Sequence, residues 1–394
     1  MADNNNNKIL NVPPLRFPEF TDEWEKCKVS DLLDFYSTNS LSWEQLEYTG
    51  SGMRNLHYGL IHVGLPTLVD VGNALLPNIK ERFVPKNYQL CNNGDVAFAD
   101  ASEDTNEVAK VVELTEIKDE KVVCGLHTIH GRDNKGKTVI GYKGYAFSSD
   151  AFHKQIRRIA QGTKIFSIST KNFSECYIGI PSIKEQTKIA AILSLLDRRI
   201  AVQTKIIEKY KSLIKGLRHK LFASISGDVT ILSKVANIYQ PQTISSKELT
   251  ETGYSVYGAN GIIGKYHSYN HENEQVCITC RGNTCGTVNY TLPKSWITGN
   301  AMVINSDDFS TIVDKRYLYN YLCSINFSQI ISGSGQPQIV RSPLEKLQIV
   351  LPKITEQQKV AHCLDSFLYR IKIEETIAMR LEEQKQYLLR QMFI

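Results

Sequence analysis

Two stretches of this 394-residue chain are copies of one another. Ile180-Pro-Ser-Ile-Lys-Glu-Gln-Thr-Lys-Ile-Ala returns 171 residues later as Leu351-Pro-Lys-Ile-Thr-Glu-Gln-Gln-Lys-Val-Ala, and the register holds without a gap to Phe222 and Phe393. Pro181/Pro352, Glu185/Glu356, Gln186/Gln357, Lys188/Lys359, Leu193/Leu364, Arg199/Arg370 and Ile200/Ile371 are identical pairs. A repeat of this length marks one structural unit used twice, and each copy closes a different stretch of mixed sequence. A weaker echo pairs Val29-Ser-Asp-Leu with Leu232-Ser-Lys-Val, 203 residues apart, which makes the first stretch 32 residues longer than the second. The chain reads as domain, helix, domain, helix.

Both copies carry a helical period. Ile189, Leu193, Leu196, Ile200, Gln203, Ile207, Tyr210, Ile214, Leu217 and Leu221 step alternately by four and three, which holds one stripe on one face at a coiled-coil spacing. The same frame moved by 171 gives Val360, Leu364, Phe367, Ile371, Glu374, Ala378, Leu381, Lys385, Leu388 and Met392, with Glu374 at the position of the Gln203 break. Ser182 with Glu185, and Thr355 with Gln358, have capping-box spacing behind a proline. Stripes this narrow do not bury themselves inside a globular core, so the two helices are expected to pack on each other. Leu193, Leu196, Ile200, Ile207, Leu364, Phe367, Ile371 and Leu388 are the residues assigned to that packing, or to a partner. The intervening regions mix short strands at Thr230–Asn237, Gln275–Thr279, Thr287–Tyr290, Met302–Asn305 and Leu347–Val350 with helices near Asp314–Ser324 and Ser149–Arg158. The fold class is α+β with a pseudo-two-fold internal repeat. Its parts are a disordered tip (1–15), a first domain (16–180), a first spacer helix (181–223), a second domain (228–351) and a second spacer helix (352–394).

Composition adds bounds. The apolar fraction of 42% and charged fraction of 22% are those of folded protein, and no run approaches the ~18 apolar residues of a membrane span. The start lacks the features of a signal peptide, which places the chain in the cytoplasm with its nine cysteines reduced. The net charge of +5 is uneven: residues 184–222 hold ten basic and three acidic side chains. Residues 121–171 hold ten basic residues against Asp133 and Asp150, so Arg132, Lys135, Lys137 and Lys143 are candidates for a phosphate-facing surface.

Motifs for catalysis are weak. Gly131-Arg-Asp-Asn-Lys-Gly-Lys-Thr138 matches a phosphate loop by letter, but the β-branched Val139-Ile-Gly that follows is no helix start, and the segment reads as a hairpin tip between Val122–Ile129 and Thr138–Tyr142. Glu116-Ile-Lys118 with Asp100 and Asp104 upstream has the order of a metal-dependent nuclease at loose spacing. Cys277, Cys280 and Cys285 fall one ligand short of a structural zinc site. No metal ligand or catalytic residue is assigned. Reader features are present instead: Asn260, Lys265, Arg281 and Asn283 on glycine-rich turns, then Gln336, Gln338 and Arg341 ahead of the second helix, are amides and cations able to reach base edges.

The doubled proline, Glu-Gln, Ile/Val-Ala and leucine heptad, each behind a variable globule, resembles the specificity subunit of type I restriction–modification enzymes. Pro14-Leu-Arg-Phe-Pro-Glu-Phe-Thr-Asp-Glu-Trp24 and Tyr257-Gly-Ala-Asn-Gly-Ile-Ile-Gly264 look like that family too. The resemblance implies two mixed α/β target-recognition domains held apart by two long antiparallel coiled-coil helices, each domain reading half of an asymmetric bipartite site in double-stranded DNA. It implies two methyltransferase subunits docked on the helices and two restriction/translocase subunits in the full complex. S-adenosylmethionine, ATP and Mg²⁺ would then belong to those partners, with no cofactor in this chain, which would be a non-catalytic subunit of a site-specific deoxyribonuclease complex. A metal-dependent nuclease, or a coiled-coil scaffold without DNA specificity, are the alternatives.

Overall fold

The computed structural model describes residues 11–259, 261–333 and 335–394. Its contacts gather into two units, Met1–Gln203 with Ile377–Ile394, and Thr204–Thr376. Of the tip expected over 1–15, residues 1–10 lie outside the described residues. Residues 11–15 are tied down, with the Trp24 N–H donating to Asn11 O and the Leu15 N–H to Gln391 O.

The first unit is built on a five-stranded sheet in the order Asp34–Tyr36, Thr128–Arg132, Val96–Ala99, Val111–Thr115, Leu68–Asp70, antiparallel but for the last pair. Side chains on a strand alternate between faces, and the central strand has apolar ones on both. Val96 and Phe98 join Tyr142, Phe147, Phe152 and Phe173, while Ala97 and Ala99 join Leu56, Val69 and Leu114. A second sheet, Val122–Cys124, Arg54–Leu56, Asn78–Ile79, Leu46–Glu47, has a three-stranded counterpart in the second unit, Gly261–Tyr266, Tyr254–Gly258, Trp296–Ile297. The second unit repeats the central order as Asn237–Tyr239, Ala301–Asn305, Val276–Thr279, Val288–Tyr290, all antiparallel. Here too both faces are filled, by Val276, Ile278 and Ile304 against Tyr317 and Leu318, and by Cys277 and Val303 against Tyr257 and Ile297.

Each domain is closed by its own ends. Glu25–Lys28 pairs with Tyr177–Ile180, and Asp228–Ile231 pairs with Gln348–Leu351, the same two strands at offsets of 203 and 171. The echo at Val29 and Leu232 is the tight turn after the opening strand, closed by Leu33 N–H to Val29 O in one unit and Val235 N–H to Leu232 O in the other. The strand expected over Thr230–Asn237 is therefore two strands in different sheets, broken by that turn.

The long helices run Ile183–Ser224 and Ile354–Gln391, 42 and 38 residues, about 60 Å each at the α-helical rise. In the first unit Ile189, Leu193, Leu196 and, at the margin, Ile200 share a core with Leu381, Leu388, Leu389 and Met392, and Lys385 pairs with Asp197 at 2.6 Å. In the second, Ile214 packs with Leu364 and Ile371, flanked by Phe367, and Lys211 pairs with Glu375 at 2.7 Å. The helix halves are antiparallel in both units. Gln203 and Glu374, the polar pair at matching positions of the two stripes, are buried all the same, and Glu374 pairs with Arg370 one turn earlier. Ile207 is half-buried and belongs to no apolar cluster among the described residues.

Two expectations about local structure fail. Thr355 caps nothing: the second helix begins at Ile354, with the Glu356 N–H bonded to Lys353 O. Only Ser182 acts as a cap, accepting the Glu185 N–H through its hydroxyl at 3.3 Å. There is also no hairpin across Gly131–Thr138. Val122–Cys124 and Thr128–Arg132 sit in different sheets, and Tyr142–Phe147 is a helix.

Candidate functional site

Three glycine-rich turns of the second unit converge at one end of its sheet. Register pairs Thr279 with Ala301, so the residues after Thr279 emerge where the neighbouring strand begins. The hydroxyls of Thr279 and Thr284 both donate to Ala259 O, at 2.7 and 3.0 Å, which ties the turn before Gly261–Tyr266 to the 280–286 loop. The 333–339 loop joins them through a bridge between Arg281 and Gln338, with Gly282 N–H to Pro337 O and Ile339 N–H to Cys280 O, both 3.0 Å. Lys265, Arg281, Asn283, Gln336 and Gln338 are exposed on these elements, and the bonded turns draw the last four onto one surface. Asn260 lies outside the described residues. Arg341 is exposed but held to Glu345 at 2.7 Å on a short helix.

The same turn exists in the first unit, at the 171-residue offset. Gly162 (φ 142°) and Gly333 (φ 98°) both adopt left-handed backbone, and at each a Cβ would strike the carbonyl oxygen three residues on, that of Ile165 or Gln336. Only glycine fits there. Ile168 N–H donates to Asp100 O at 2.9 Å as Ile339 N–H does to Cys280 O, and Phe166–Ser167 pairs with Ala101–Ser102. The exposed tip carries Gln161, Lys164 and Ser167. Sequence reading missed these residues, although carrying the repeat register back from Ile180 and Leu351 superposes Gly162 on Gly333 and Ile168 on Ile339.

The basic stretch chosen for the first unit lies elsewhere. Register pairs Gly131 with Val96 and Thr128 with Ala99, so Arg132 to Lys137 leave the sheet at the end opposite the 100–106 loop. That end is clamped to the long helix. The buried Gln186 side chain accepts the Val139 N–H at 2.9 Å and donates to Lys137 O and Pro181 O at 3.0 and 2.9 Å. Gln357 does the same with the Asp314 N–H, Ile312 O and Pro352 O, at 2.9, 3.0 and 2.9 Å. Glu185 has a separate task, a two-bond pair with Arg16 at 2.7 and 2.8 Å. The repeated Glu-Gln is thus a domain-to-helix clamp whose Gln is used twice.

Arg132 and Lys143 do not present themselves to a ligand. Arg132 binds both oxygens of buried Asp95 at 2.8 Å and covers the Tyr36 ring. Lys143 is 3% exposed and pairs at 3.1 Å with the fully buried Glu113, whose carboxylate accepts the Gly141 and Gly144 N–H groups. Burial pushes the Glu113 carboxyl up despite the lysine. A charge this deep needs a partner, which is why Lys143 is internal. Lys135 is exposed and donates to Asp31 O, while Lys137 pairs with Glu25 at 2.7 Å.

The catalytic alternatives find no geometry. Asp133 closes the phosphate-loop lookalike by accepting the Thr138 N–H and hydroxyl. Asp100 is bound to His127 and Asp104 to Asn106, while Glu116 is an exposed turn residue at φ 53°. No three carboxylates converge among the described residues. Cys277 and Cys280 are buried in different cores, and burial pushes the Cys277 thiol up to about 12.

Two α+β units on one sheet order, each closed by a proline-led helix and each carrying the same glycine turn, define a duplicated module with its variable polar side chains on loops. The chain belongs to the type I restriction modification DNA specificity domain family, whose model matches residues 116–211 and 228–383. It is 26% identical over 140 residues to a putative type I restriction enzyme specificity subunit of Haemophilus influenzae, an alignment covering 34% of this chain and 36% of that protein. The chain thus spans about a third of that relative. Over 97% of its own length and 95% of the relative's it is 23% identical to a putative type I restriction enzyme specificity subunit of Methanocaldococcus jannaschii. Its fold is that of the type I restriction–modification S subunit from M. genitalium, with a TM-score of 0.61 at 16% identity, covering 97% of this chain and 99% of that one.

Proposed function

We propose that this chain is the non-catalytic DNA-recognition subunit of a type I restriction–modification complex, each unit reading one half of an asymmetric bipartite site. The observation that carries the reading is the repeated glycine turn, which presents Gln161, Lys164 and Ser167 in one unit and Gln336 and Gln338 in the other, with Ser167 and Gln338 at matching positions. The structural frame is duplicated and the side chains on it differ, as two readers of different half-sites require. Arginine and amide side chains are the ones that discriminate base edges in the major groove. The unbalanced charge of the first long helix supplies phosphate attraction without sequence preference.

Methyltransferase subunits are the partners assigned to the helices. Leu195 and Tyr387 in the first unit and Leu213 and Tyr369 in the second leave half or more of their surface open, apolar area of the kind buried in subunit contacts. Restriction/translocase subunits, S-adenosylmethionine, ATP and Mg²⁺ belong to the assembly rather than to this chain's described sites. No helix among the described residues is long and apolar enough to cross a membrane, in keeping with a cytoplasmic complex.

The test is to replace residues 228–351 with those of a relative, express the chain with its methyltransferase, and map methylated adenines. One half-site should change and the other persist. Methylation unaltered at both halves, or altered at both, sinks the reading.

A further inference from the structure

Three buried side chains of the first unit, one of them remote in sequence from the other two, converge on a common point. The ligand atoms of Cys91, Cys124 and His130 all lie within 4.8 Å of one another, and the two sulfurs are 3.6 Å apart. The residues are 4%, 1% and 1% exposed. Two thiolates on a tetrahedral zinc ion, each at ~2.3 Å, sit about 3.8 Å apart. A disulfide needs ~2.05 Å. The sulfurs are thus already at ligand spacing.

The histidine is prepared in the manner of a metal ligand. Its Nε2 is 2.7 Å from Asp95 Oδ2, and its Nδ1 is buried with no hydrogen-bond partner. Asp95 is itself fixed by two bonds from Arg132 and by the Asn92 N–H at 2.8 Å. A carboxylate that orients one imidazole nitrogen leaves the other to the metal. An orphaned buried nitrogen carries a cost that a metal bond removes.

We propose that Cys91, Cys124 and His130 bind one Zn²⁺, with Asp95 holding the histidine. Two sulfurs and one imidazole favour zinc over the oxygen-seeking Mg²⁺ and Ca²⁺. Binding converts both thiols to thiolates and releases two protons to solvent. The fourth position goes to water: Cys124 borders a cavity of 380 Å³ lined also by Asn39, Tyr88 and Gln89. The ion would join strand Val122–Cys124 of the second sheet to strand Thr128–Arg132 of the main sheet and to the loop at Cys91.

The test is metal analysis of the full chain, purified reduced and supplied with Zn²⁺. One equivalent should remain after gel filtration, and Cys91→Ser and Cys124→Ser should each lower it by about tenfold or more, while Cys363→Ser, an exposed helix position, keeps it. Asp95→Asn should weaken affinity by roughly 10–100-fold. The unmutated chain serves where a variant does not fold: Co²⁺ should give thiolate-to-metal charge-transfer absorption that Zn²⁺ displaces. No zinc retained and no such band, or retention unchanged in Cys91→Ser, overturns the site. So does mass spectrometry finding a Cys91–Cys124 disulfide in freshly isolated chain.

Discussion

Gln186 and Gln357 each satisfy one backbone N–H and two carbonyls that no regular element reaches. Replacing either by leucine leaves those buried groups unpaired, at about 1–3 kcal/mol, and Gln357→Leu should lower the urea midpoint of the full chain accordingly. Glutamate at the same position should be worse, because it sets a carboxylate against two carbonyl oxygens. On the face proposed to read DNA, Arg281→Ala should cost about 1–3 kcal/mol of specific DNA affinity in the assembled methyltransferase and relax one base position, measured by binding to single-substituted targets. Lys135→Ala, at the clamped end of the first unit, should leave the recognised sequence unchanged. Asp307 supplies a pH dependence. Burial raises its carboxyl pKa, but hydrogen bonds from Lys315 and Gln275 prevail and hold it below the ordinary aspartate range. Its contribution is therefore complete above pH ~4 and is lost as pH falls through the lower folded value. Between pH 5 and 3, Asp307→Asn should lose less stability than the parent in urea titrations.

The helices differ from an ideal coiled coil in where they are dry. Leu193 and Leu364, identical by the repeat, are each fully buried, but against different neighbours: aromatic domain residues and the end of the second helix in one unit, Ile214 and Ile371 in the other. Leu364→Ala should cost about 2–5 kcal/mol, and Ile207→Ala, on the same stripe but half-buried, well under that, by thermal or denaturant unfolding. The spacing of apolar residues made both helices legible. It could not tell Ile207 from Leu193, because burial depends on what faces a turn of helix and not on the period. Ser182 and Thr355 make the same point for caps, since identical spacing gave a cap at one and an interior residue at the other.

At the scale of the whole molecule, duplication separates what must stay the same from what is free to vary. The clamp, the closing strands and the glycine turn occur twice, while the loop side chains do not. Exposed apolar residues on the helices should matter only to assembly: Leu195→Ser and Tyr387→Ser are expected to stay within about 0.5 kcal/mol of the parent in stability. Both should weaken capture of the methyltransferase subunit by at least tenfold in titration calorimetry. Unchanged capture would remove the helices as the docking surface.

The repeat register, the helical period and the Pro-x-x-x-Glu-Gln signature are local in sequence, and from them the order of parts, the α+β class and the helix pair could be read directly. Glycine turns near Arg281 and Gln338 were legible for the same reason, since turn chemistry is written within a few residues. What the tertiary structure alone decided was the meaning of charge. Arg132 and Lys143 look identical to surface cations in composition, and only the strands carrying Asp95 and Glu113 turn them inward. Likewise Cys124 and His130 sit six residues apart, but Cys91 joins them only because its loop bonds to the strand at Val122, and a contact between segments about thirty residues apart leaves no short-range trace in a single sequence.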